Sequence, residues 1–201
     1  MKLAEPENIL EFWFGTNDGD GEVIKAKSWL WWGKNEVTDR SIANRFGDDL
    51  DRAIGGAIDH WALTPRGQLA LIILMDQFSR NIYRGTPRAF AQDKQACTLC
   101  LTGLEKGQDQ VLRPVERAFF YLPLEHSESL PLQERSVELY RILYQWASPD
   151  LKANFQEFLD FAIRHRDIIQ RFGRFPHRNV ILGRESTLEE LEFLQQSGSS
   201  F

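Results

Sequence analysis

Three places in the 201-residue chain put polar residues where apolar ones belong. In Asp76-Gln77-Phe78-Ser79-Arg80-Asn81, which ends the most apolar segment, Asp76 and Arg80 are four apart and share a helix face. Ionised groups in a dehydrated setting are costly unless paired and hydrogen-bonded, so they form a satisfied network or face a wet cavity. His165 is the second anomaly. It sits in the stripe Phe155, Phe158, Ala162, His165, Ile169, Phe172, whose steps of three and four mark a core-facing helix. Arg166 stands beside it, and Arg164, Arg171, Arg174 and Arg178 make the stretch basic, with His177 among them. Gly173-Arg174-Phe175-Pro176-His177-Arg178-Asn179 reads as a helix stop followed by a short restart, where backbone N–H groups and arginines suit an anion. The third place is Glu125-His126-Ser127-Glu128, after a proline at 123 that should end its helix; a histidine between glutamates is a general base, a metal ligand or a turn residue. Imidazoles, carboxylates and arginines together suit acid–base work on, or binding of, an anion.

Other chemistry has less support. Cys97 and Cys100 have redox spacing, but no thioredoxin-like strand precedes them and no second pair completes a zinc site, so they read as the apolar face of a helix. No metal is assigned, because His126, Glu128 and His165 offer ligand types without an i, i+4 pair; no cofactor is assigned either. The chain lacks a GxxxxGK phosphate loop, a GxSxG elbow and an HExxH helix. Trp29, Trp31 and Trp32, with Phe12-Trp13-Phe14, could stack sugars or bases but read better as clamps of the N-terminal helices.

Composition bounds the class. A net charge of -5 argues against a nucleic-acid binder or a membrane-surface protein. Two cysteines exclude a secreted disulfide framework, and MKLAEPENILEFWF has no signal-peptide pattern, so a cytoplasmic location is expected. The longest apolar run, Leu69 to Met75, is far below the roughly 18 residues of a membrane span.

The elements that must position these residues are helices. Thr64-Pro65, Thr86-Pro87 and Ser148-Pro149 each pair a capping hydroxyl with a proline at the first helical position, and Thr187 with Glu190 has capping-box spacing. Glycines at 15, 33, 85, 107 and 173 follow apolar stretches, and Asp18 to Gly21 reads as a loop. Helices are predicted over 6–14, 22–32, 38–62, 65–83, 87–105, 114–121, 131–147, 150–173 and 187–196. Helix 65–83 is expected at the centre, buried on most sides. Short connections predict antiparallel neighbours in one all-α domain spanning 1–201.

The segments ILEFWFG, GQLALIILMDQFSRNIYRG, RAFFYLPLEHSE and HRDIIQRFGRFPHRNVILGREST resemble, in that order, the bacterial DUF924 family of uncharacterised proteins. The resemblance implies a tetratricopeptide-like α-α superhelix of about eight or nine helices, and it brings no established activity to carry over. It carries over Asp76, Gln77, Arg80 and Asn81, with Ser79 where a proline is expected. It carries over His126, Ser127 and Glu128, with Glu125 where an apolar residue is usual, which puts Glu128 ahead of Glu125. His165, Arg166, Arg174, His177, Arg178 and Asn179 match the last segment. The expectation is that Asp76, Arg80, His126, Glu128, His165, Arg166 and Arg178 converge on one hollow. The first reading is a binding module for a small anionic ligand or an acidic peptide. The alternatives are a small-metabolite hydrolase or transferase with His126 or His165 as acid or base, and a purely structural network.

Overall fold

The computed structural model describes residues 4–16 and 19–200, and all regular structure in them is helical. In chain order the α-helices are α1 (Pro6–Phe14), α2 (Asp20–Trp32), α3 (Glu36–Ile54), α4 (Pro65–Ile72), α5 (Ser79–Ile82), α6 (Asp93–Glu105), α7 (Pro114–Glu125), α8 (Leu130–Trp146), α9 (Lys152–Phe172) and α10 (Leu188–Leu194). Helix α2 takes in Asp20 and Gly21, part of the expected loop; Asp18 lies outside the described residues.

The Thr64 hydroxyl accepts from the Gly67 N–H at 3.1 Å and starts α4 with Pro65 in place. The rod then runs through a wide π turn, Ile73–Phe78, into α5, filling the predicted span 65–83. Residues 67–79 are all buried. This explains the missing periodicity: α1, α3, α6 and α7 all pack on the rod, so it has no solvent face until Arg80. Phe78 anchors the contact, with the Phe46 ring stacked at 5.0 Å and Trp13 edge-on at 5.5 Å. Fully burying a side chain of this size contributes about 1.5–3 kcal/mol. Trp31 donates from Nε1 to the Trp13 carbonyl at 3.0 Å and clamps α2 to α1, whereas Trp29 is outside, 64% exposed.

Helices α7, α8 and α9 stack in chain order. Pro123 does not end α7, which continues to Glu125. A proline this near the C-terminal end removes one hydrogen bond, to the Phe119 carbonyl, and every residue from Ala118 to Glu125 is buried, so packing carries the turn past it. Predicted bounds shift elsewhere too: the helix expected over 38–62 runs Glu36–Ile54, and a separate 3-10 turn covers Asp59–Leu63. Pro87–Phe90 forms a 3-10 turn ahead of α6, and α9 begins at Lys152, beyond Pro149. Gly173 ends α9 in the left-handed conformation (φ 69°), and the chain beyond it packs through Phe175, Ile168 and Ile169 in a small cluster separate from the main core.

Candidate functional site

The π turn, α5, the start of α6, the end of α7 with its capping His126, α9 and the 3-10 turn Pro176–Arg178 send polar side chains into one connected cluster. Asp76 is fully enclosed. Its Oδ1 lies 2.7 Å from His126 Nδ1 and 3.2 Å from Arg80 Nη1, and Gln77 donates to its other oxygen. Burial opposes ionisation of Asp76, but Arg80, His126 and Gln77 outweigh it and hold the carboxyl well below its ordinary range. Burial and the Arg80 charge push the His126 imidazole below its ordinary pKa of 6.5, against the pull of Asp76. His126 is therefore neutral at pH 7, and Arg80 with the Nδ1–H bond accounts for the ionised Asp76. An ionised carboxylate only accepts, so Nδ1 carries the hydrogen and the lone pair is on Nε2. Among the described residues Nε2 has no hydrogen-bond partner, and it is not one of the fully buried unpaired atoms. It is an accessible base.

Arg80 donates from Nη1 and Nη2 to both oxygens of Asp93, at 2.9 and 3.0 Å, and from Nη1 to the Asp76 carbonyl. Arg178 Nη1 reaches the same Asp93 at 3.2 Å. Its guanidinium lies between two rings, 4.7 Å from the centre of Phe90 and 4.4 Å from that of Phe175. Burial and the Arg80 charge lower the Arg178 pKa to about 10, so it is still cationic at neutral pH. Two arginines and two carboxylates thus offset one another.

Behind His126 lies a second histidine–carboxylate pair. The His165 ring centre is 6.1 Å from that of His126, and its Nδ1 is 2.8 Å from the Phe161 carbonyl and 3.1 Å from Glu125 Oε1. Burial, then Asp76, raise the Glu125 pKa to about 8, so at pH 7 it is largely a neutral acid. Glu125 also hydrogen-bonds the Tyr140 hydroxyl, which already donates to the Ala118 carbonyl at 2.7 Å, so the proton between them comes from Glu125. Burial and the neighbouring His126 keep His165 well below its ordinary pKa.

Of the predicted site residues, Asp76, Gln77, Arg80, His126, His165 and Arg178 meet here. His177 stands next to them on Phe175, at 5.6 Å between ring centres, its pKa lowered to about 4 by burial and then Arg178. Glu128 is at the margin: it accepts from the Phe175 N–H at 2.8 Å and from both terminal nitrogens of Arg184, at 2.7 and 3.0 Å. It holds the chain that carries Arg178. The remaining four go elsewhere. Asn81 bonds Asp39, Arg166 bonds Asp167, Arg174 forks onto Glu190, and Asn179 bonds Ser186, Glu190 and Arg184. Asp93, Phe90 and Glu125 are what the sequence reading missed or set aside. An aspartate opening a helix has no mark separating it from an ordinary N-terminal acid, but Glu125 was findable as an acid inside an apolar run.

Among the described residues no group of three or more His, Cys, Asp or Glu is arranged to hold a metal ion. Cys100 is buried and Cys97 half-buried, and burial raises both thiols, so neither is an activated nucleophile. No described helix is long and apolar enough to cross a membrane.

An all-helical chain with a buried His–Asp pair beside paired arginines defines the class by architecture and site. The model of the family described as bacterial protein of unknown function (DUF924) matches residues 9–198, and the chain belongs to that family. A solved structure of a protein of unknown function from Agrobacterium tumefaciens is similar to it, with 35% identity and a TM-score of 0.80 over 94% of this chain and 96% of that one. No curated protein matches the chain.

Proposed function

We propose that the cluster is a proton-transfer site for a small anionic substrate, with His126 as general base and Asp76 as the group that fixes its tautomer. The observation that carries this reading is the 2.7 Å Asp76–His126 contact on a neutral imidazole whose Nε2 has no partner among the described residues. Glu125 and His165 stand behind the base, a protonated carboxyl next to a neutral imidazole. Limited exposure supports a small substrate. His126 keeps 14% of its side-chain surface and Arg80 and Asp93 keep 19% each, while Asp76, His165 and Arg178 are buried. An acidic peptide needs arginines on an open face, and here Arg178 is buried, Arg80 is largely covered and both are engaged with Asp93, which favours the enzyme reading over the binding module.

The balance of two arginines against two carboxylates is the observation that favours a structural network instead. One experiment separates the two. The wild type, His126→Asn and Asp76→Asn are incubated with a library of small organic acids and phosphate esters in D2O, and mass spectrometry follows deuterium uptake and product formation. The expected result is turnover by the wild type and a loss of about a hundred- to ten-thousand-fold in a His126→Asn protein that still folds. A wild type that neither exchanges nor converts any compound, and that no compound stabilises against heat, supports the structural network.

A further inference from the structure

Arg178 is buried, and only one of its three guanidinium nitrogens is spent on the protein. Nη1 donates to Asp93. Nε is fully buried with no partner among the described residues, and Nη2 makes no hydrogen bond and is not among the fully buried unpaired atoms. Nε and Nη2 form the side edge of the guanidinium, the two-pronged donor that matches a carboxylate. Elsewhere in the chain that edge is filled by protein: by Glu7 on Arg66, Asp39 on Arg84 and Glu190 on Arg174. A charged donor buried without a partner is expensive, and this one is packed against the Phe90 and Phe175 rings.

We infer that the Nε/Nη2 edge of Arg178 is the receptor for the carboxylate of a small organic acid. This rests on the acid–base reading above and adds a substrate class to it. With Nη1 held by Asp93 and the Phe90 and Phe175 rings 4.7 and 4.4 Å from Cζ, the two nitrogens left over are those whose spacing matches a flat carboxylate. Charge also selects. Asp76 and Asp93 already offset Arg80 and Arg178, so a bound monoanion leaves one uncompensated negative charge and a phosphate dianion leaves two. Asp93, shared by Arg178 and Arg80, ties the receptor to the Asp76–His126 pair through Arg80.

The test is an NMR titration of the Arg178 Nε–H resonance in the full chain, with acetate and inorganic phosphate as probes. Acetate is expected to move that resonance saturably at millimolar concentration, with phosphate weaker. Arg178→Lys, which keeps the charge and loses the edge, is expected to bind acetate at least about tenfold more weakly. A resonance that acetate leaves unmoved overturns the inference, whatever the variant does; so does equal binding by wild type and Arg178→Lys, or phosphate binding more tightly than acetate. His126→Asn separates the two readings, because it is expected to bind acetate as the wild type does. Lost turnover with binding intact tests the base, and lost binding with His126 in place tests the receptor.

Discussion

Asp76 is enclosed yet ionised, and that combination makes it the side chain its neighbours depend on. Replacing it with asparagine leaves Arg80 without one of its two carboxylates and lets the His126 ring turn over. Breaking a buried pair by removing one partner costs about 3–5 kcal/mol, so Asp76→Asn is expected to lower the urea unfolding free energy by that order. A midpoint unchanged within error would mean that the pair adds nothing to the fold. The sequence disclosed Asp76, Arg80 and His165 because each breaks an apolar pattern. Glu125 is ranked behind Glu128 because the family resemblance places an apolar residue at that position; in the fold it is buried, 3.1 Å from His165 Nδ1, at the end of a helix that runs past Pro123.

At the scale of elements, close approach sets the positions of the helices. A Cβ at Gly103 would collide with the Phe120 ring and come within 2.8 Å of Gln68 Oε1, so α6 lies against α4 and α7 because this residue has no side chain. Gly103→Ala is expected to destabilise the protein by about 1–3 kcal/mol, seen as a lower urea midpoint, since overpacking forces backbone and ring to shift. Equal midpoints would show that the helices can move apart without cost. Helix starts were legible at Thr64 and at Thr187 with Glu190, where the side-chain cap forms, and not at Thr86 or Ser148, where the proline opens only a short turn ahead of the helix. The π turn over Ile73–Phe78 was not, because a wide turn inside a fully buried rod leaves no periodicity to read.

For the whole molecule, the segment after Gly173 is a separately packed piece that carries Arg178. Glu128 fastens it through Arg184 and the Phe175 N–H. Glu128→Gln is therefore expected to speed hydrogen exchange of the amides over 173–190 while those of α4 keep their protection; uniform change across the chain would contradict a separately held segment. Stability should also bend with pH at both ends. Histidines with folded pKa values below 6.5, His177 at about 4 among them, contribute stability that is present above 6.5 and lost as the pH falls through the folded value. Glu125, raised from 4.5 to about 8, has the opposite sign: its contribution is complete below 4.5 and lost as the pH rises through about 8. Glu125→Gln is expected to flatten the alkaline decline and leave the acid one, read from urea midpoints between pH 5 and pH 9 (about the window those pKa values set). An alkaline limb of unchanged slope would assign that decline to another group.

The most direct measurement of the central claim is the protonation state of one ring. Long-range proton–nitrogen NMR on the wild type reports which nitrogen of His126 carries hydrogen and the pH at which the ring titrates. The result predicted is a neutral ring at pH 7 with hydrogen on Nδ1, a bare Nε2 and titration below 6.5. A doubly protonated ring at pH 7, or a neutral one with its hydrogen on Nε2, would leave no base at that position and contradict the account.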